Sequence, residues 1–126
     1  MLNSKSEKEK FKEEFRKRIR KFILDLIKFV DSLPNDRTCR VIADQLIRAG
    51  TSIGANYFEA RAASSKNDFI NFFNHALKSA NESKFWFEIL LDANKGNSSD
   101  ARLLFNEVSE IANILASSIL TLKGKK

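Results

Sequence analysis

The chain has 126 residues, with 22 Lys+Arg against 16 Asp+Glu and one each of His, Cys, Trp, Tyr, Met and Pro. That length is one domain (1–126), and its 43% hydrophobic and 30% charged residues are enough to bury a core and too apolar for a disordered chain. Cys39 has no cysteine to pair with, the N-terminus lacks the order of a secretory signal, and charges interrupt every apolar run before the roughly 18–20 residues of a membrane span; a cytoplasmic protein with no membrane partner is expected.

Little punctuates the chain: one Pro, four Gly, and no long alternation of apolar and polar residues. An all-α protein follows. Phe11, Phe15, Ile19, Phe22, Leu26, Phe29 and Leu33 recur at steps of three and four, which predicts a first helix over about 5–32. Pro34 stops it, and Asn35 or Asp36 caps a second helix over about 36–63, whose face carries Ile42, Leu46, Ala49, Ile53, Tyr57 and Ala60.

Ser65 and Asp68 have the spacing of a capping box, opening a third helix over about 66–94 with Gly96 as its C′ residue. Phe69, Phe72, Phe73, Ala76, Leu77, Ala80, Lys84, Phe87 and Leu91 lie on its inward arc. Ser98 or Ser99 caps a fourth helix over about 99–122, with Leu104, Val108, Ile111, Leu115 and Ile119 as its stripe. Short connections predict an up-down-up-down antiparallel four-helix bundle.

Gly50 and Gly54 stand inside helix two, where each costs roughly 0.8–1 kcal/mol relative to Ala. Close packing is the expected reason. Apolar residues also occupy a second side of the middle helices: Ile47, Gly54 and Phe58 on helix two, and Phe85, Trp86 and Ile89 on helix three. Ile47, Phe58, Phe85, Trp86 and Ile89 are read as a homo-oligomer interface, with a wider single core as the alternative.

No enzymatic constellation emerges. The only histidine, His75, has Phe72 three positions before it, not Glu, which removes the di-iron bundle pattern. Zinc ligands are too few, and Walker and dinucleotide fingerprints are missing. The expectation is a protein that is not an enzyme and uses no metal or cofactor.

Two polar patterns remain. Arg48, Ser52, Asn56 and Glu59 share one flank of helix two, and Glu82 flanks helix three; their expected role is to fix helix register, with Arg48 pairing to Glu82 or Glu59. From Met1 to Lys28 there are ten Lys/Arg and five Asp/Glu, and Lys123, Lys125 and Lys126 close the chain. Lys10, Lys17, Lys21 and Lys28 recur along the outer side of helix one, broadened by Arg16, Arg18 and Arg20. Such a ridge suits phosphates, contacted without reading bases, although a solvated Lys/Glu helix has the same composition. The phenylalanines fall at core spacing, which disfavours base stacking.

The pattern Arg48-x-x-x-Ser52-Ile53-Gly54-Ala55-Asn56-x-x-Glu59-Ala60, then Ser65-Lys66-x-Asp68-Phe69 and Ala76-Leu77-x-Ser79-Ala80-x-Glu82-x-x-Phe85-Trp86, resembles the four-helix-bundle protein family encoded in intervening sequences of bacterial 23S rRNA genes. That family includes the accessory variability determinant of diversity-generating retroelements. The resemblance is specific from Gln45 to Leu91 and departs from the family pattern at Tyr57-Phe58. It implies a ring-like homopentamer, with a basic surface that binds nucleic acid or a reverse transcriptase partner, and brings no catalytic residues. The expected function is a basic, oligomeric, non-enzymatic RNA- or DNA-binding accessory protein. The alternative is an interaction scaffold that docks an acidic protein partner.

Overall fold

A computed structural model describes residues 4–125, and within them four α-helices and no strand: α1 (Ser4–Asp31), α2 (Arg37–Ala60), α3 (Lys66–Asp92) and α4 (Ser98–Leu122). Consecutive helices are neighbours, α4 returns to pack on α1, and the diagonal pairs α1/α3 and α2/α4 are held apart. This is the up-down-up-down arrangement that short connections favour.

The helix ends follow from local chemistry. Asp36 caps α2 by accepting the Cys39 amide at 2.8 Å. Ser65 Oγ caps α3 by accepting the Asp68 amide at 3.1 Å, and Asp68 in return accepts the Ser64 amide at 3.2 Å. The α4 cap is Asn97, not Ser98 or Ser99; its side-chain oxygen accepts the Asp100 amide at 2.9 Å. Nor is Gly96 the C′ residue of α3. Asn94 takes that place at φ 54°, while the Lys95 amide reaches the Leu90 carbonyl at 3.0 Å, as in a Schellman motif. Gly96 is also left-handed, φ 77°, and a β-carbon there would lie 2.5 Å from Leu33 Cδ2. Helix two ends at Ala60 instead of Ala63, since three amides from Arg61 to Ala63 bond three residues back, a tighter turn that does not continue the α-helix.

Phe87 sits at the centre. It is fully buried, and its ring lies 6.5 Å from Phe22 and 5.9 Å from Phe29, so α3 fills the space opposite α1. Leu26, Leu46, Ile53, Leu90, Ile111 and Leu115 complete the layer, all fully buried.

Gly50 and Gly54 both face α1. A β-carbon on Gly50 would lie 2.1 Å from Leu26 Cδ2, and one on Gly54 would lie 2.7 Å from Ile23 Cδ1. Gly54 therefore belongs to the α1 contact and not to an outer apolar stripe. The helix-propensity cost of both residues is offset by close insertion of branched side chains from α1.

The α4 sequence also corrects an expectation. It has the length and composition of a membrane span, because its few charges cluster in its first half. Its stripe of Leu104, Val108, Ile111, Leu115 and Ile119 is buried in the bundle core.

At one end of the bundle, Asp36 Oδ2 accepts from Lys95 Nζ at 3.1 Å, which ties the α1–α2 and α3–α4 connections together. The Cys39 backbone amide, then Lys95, hold the Asp36 carboxyl below its usual value. A carboxyl depressed in the folded state stabilises above its unfolded pKa, and that contribution is lost as pH falls through the folded pKa. Asp36→Ala is expected to lower the melting temperature at neutral pH and to flatten its decline in acid; parallel melts from pH 7 down to pH 2 check this.

Candidate functional site

Helix geometry sets the basic ridge. Phe15, Ile19, Phe22, Leu26 and Phe29 are buried, so the opposite side of α1 faces outward at 100° per residue. Lys10, Arg16, Lys17, Arg20, Lys21 and Lys28 are all exposed there. From Lys10 to Lys28 the row runs about 27 Å at a 1.5 Å rise, the axial length of roughly eight base-pair steps.

The ridge is not uniformly available. Arg16 bonds Glu13, and Lys21 Nζ bonds Asp25 at 2.7 Å, which raises the Lys21 pKa. Lys10, Lys17, Arg20 and Lys28 form no ion pair among the described residues. Leu24, 51% exposed, and Ile27 interrupt the charged surface.

Arg18 is not part of the ridge. Its guanidinium forks onto Glu107 of α4, Nε to Oε2 at 2.7 Å and Nη2 to Oε1 at 2.8 Å, and also bonds Glu110. The Glu107 hydrogen bonds, more than partial burial, govern its pKa and push it up. This bidentate clamp closes the α1–α4 flank with charge. Its sequence signal was the Glu107/Glu110 pair one turn apart on a helix with four charged residues.

The polar flank of α2 is assembled without Arg48. Ser79 Oγ of α3 donates to Ser52 Oγ at 3.0 Å, and Asn56 Nδ2 donates to the Ser52 carbonyl at 2.9 Å and to Ser52 Oγ at 3.0 Å. Ser83, fully buried, donates to the Ser79 carbonyl at 2.9 Å. Short hydroxyls let α2 and α3 approach, which leaves the long Arg48 and Glu59 side chains outside as exposed groups. Glu82 accepts from Trp86 Nε1 at 3.1 Å, one turn along its own helix. The expected Arg48 pairing with Glu82 or Glu59 does not form. The bond that crosses from α3 to α2 is Ser79–Ser52 instead, while Ser83 bonds back within α3.

Of the five outer apolar residues, Ile47, Trp86 and Ile89 are half-buried against the core. Phe58 and Phe85 remain 67% and 51% exposed, and Phe85 meets Trp86 edge-on at 4.9 Å. The wider core thus absorbs part of this set. Phe58 and Phe85 sit on different helices, α2 and α3. His75 is exposed.

The model of the 23S rRNA-intervening sequence protein family matches residues 12–117, well beyond the segment Gln45–Leu91 that carries the motif. A crystal structure of a protein with unknown function from the S23 ribosomal protein family of Bacteroides thetaiotaomicron VPI-5482 is 35% identical, covers 83% of this chain and 97% of that one, and superposes with a TM-score of 0.78. No match is found among curated proteins. With the matched span reaching from α1 into α4, the chain belongs to the 23S rRNA-intervening sequence protein family.

Proposed function

We propose that this protein is a non-enzymatic, oligomeric accessory protein that binds nucleic acid through phosphate contacts with low sequence preference. The observation that carries the reading is the row of Lys10, Lys17, Arg20 and Lys28, exposed along one outer face and in no ion pair among the described residues. Those four cations displace counterions from a phosphate backbone and carry no base information. Assembly through Phe58 and Phe85 into a ring of five would raise the net +6 to about +30 and present the row repeatedly, a multivalent array for a polyanion. A relation to the retroelement accessory determinant, with a reverse transcriptase as partner, belongs to the same proposal.

The second reading is a scaffold for an acidic protein, and one observation favours it. Leu24 and Ile27 stand exposed among the lysines, and a phosphate backbone has no use for them. One experiment separates the two. Anisotropy of labelled structured RNA, read from 50 to 300 mM salt, is expected to give a log–log slope of about −3 or steeper, near −0.9 per phosphate neutralised. A salt-independent signal or no binding overturns the nucleic-acid reading. Light scattering on the same samples reads the subunit number.

A further inference from the structure

The end of the bundle opposite the Asp36–Lys95 tie is open. Phe15 lies edge-on to Tyr57 at 5.2 Å, Tyr57 meets Phe73 at 5.5 Å, and Phe73 stacks with Phe69 at 4.8 Å. One turn before Phe15, Phe11 occupies the same inward side of α1, yet it is 53% exposed. Its exposure has a local cause. Helix α2 has already ended at Ala60, and α4 offers Ser117, Ser118 and Thr121 there in place of large side chains. The result is a groove of about 810 Å³, within the size range of ligand clefts.

Aromatic rings form its floor, and cations stand on its rim. Lys8, Lys12, Arg16 and Arg61 line it together with Glu7, Glu9 and Glu13. Glu9 and Glu13 are engaged by Lys12 and Arg16, which leaves Lys8, Arg61 and Glu7 on the rim in no ion pair among the described residues, a surplus of one positive charge. Burial pushes the Tyr57 hydroxyl above its usual pKa, and the charges of Arg61 and Arg16 act against that rise. Lys123 and Lys125 follow α4 at this same end.

We infer that this groove receives an unpaired nucleobase at the end of a strand, stacked on Phe11 and the Tyr57–Phe69 rings, with its phosphate held by Arg61. Exposed rings beside unpaired cations are what single-strand binders use, since every base presents a π-face and every nucleotide an anion. Sequence periodicity assigned all these rings to the core, and that assignment fails at Phe11: Phe15 and Phe73 are buried, Tyr57 and Phe69 are partly buried with one side toward the groove, and Phe11 is exposed. The inference rests on the phosphate-binding reading and adds a preference to it: strand ends over blunt duplex.

The test compares two RNAs with equal phosphate counts, a blunt hairpin and a hairpin with a four-nucleotide 3′ overhang, against the full chain at constant salt. The overhang is expected to bind about tenfold more tightly. Phe11→Ala, at an exposed position, is expected to erase that preference and leave blunt-hairpin affinity unchanged; Arg61→Ala gives a second variant with no core contact to lose. A 5-iodouridine in the overhang is expected to photocross-link to the peptide containing Phe11, Tyr57 or Phe69. Equal, salt-dependent binding of both RNAs overturns the groove assignment alone. Binding of neither overturns it together with the phosphate reading.

Discussion

Phe87→Ala is expected to destabilise the fold by about 3–5 kcal/mol, the cost of emptying a fully buried aromatic site. The ring bridges Phe22 and Phe29 across the diagonal of the bundle, and neither neighbour can swing into the space without leaving its own contacts. In urea unfolding followed by circular dichroism, a loss of that size moves the midpoint far enough to leave the variant marginally folded. Phe85, two positions away and half exposed, provides the contrast. Phe85→Ala is expected to leave the midpoint of a dilute sample within about 0.5 kcal/mol and to lower the mass seen by light scattering. An unchanged mass would place subunit contact elsewhere.

The second large effect concerns binding. Replacing Lys10, Lys17, Lys21 and Lys28 together by Glu is expected to weaken RNA affinity by about a hundredfold or more at low salt, since four cations leave and four anions replace them. Helicity is expected to persist, because all four side chains are exposed and the opposite face does the packing. Retained affinity would assign binding to another surface. The single change Lys21→Glu is expected to act least, as Lys21 already shares its charge with Asp25.

Much of this architecture was legible from period and punctuation. Steps of three and four placed the α1 stripe from Phe15 to Phe29 correctly, and the Ser65/Asp68 spacing located the start of α3. Periodicity states which way a residue points, however, and not what it will meet. Gly54 looked like part of an outer stripe until Ile23 was seen to occupy the missing β-carbon's place. Arg18 looked like one more ridge cation, and only the return of α4 beside α1 brings Glu107 to it across 89 residues. Phe11 reads as core by every spacing rule; its exposure depends on where a different helix ends. Neighbour identity and helix-end stagger are long-range facts, and they decided both the composition of the ridge and the existence of the groove.

The two absent β-carbons of α2 have an effect on the far side of α1. Leu26 and Ile23 are keyed into them, so a roll or slide of α1 takes both side chains out of the space the glycines leave. A roll of 100° would carry Lys17 and Lys21 round toward a neighbouring helix and bring other side chains outward. The compass bearing of the charged row is thus held by uncharged groups alone: the buried stripe of α1 and the two missing β-carbons of α2 that seat Leu26 and Ile23.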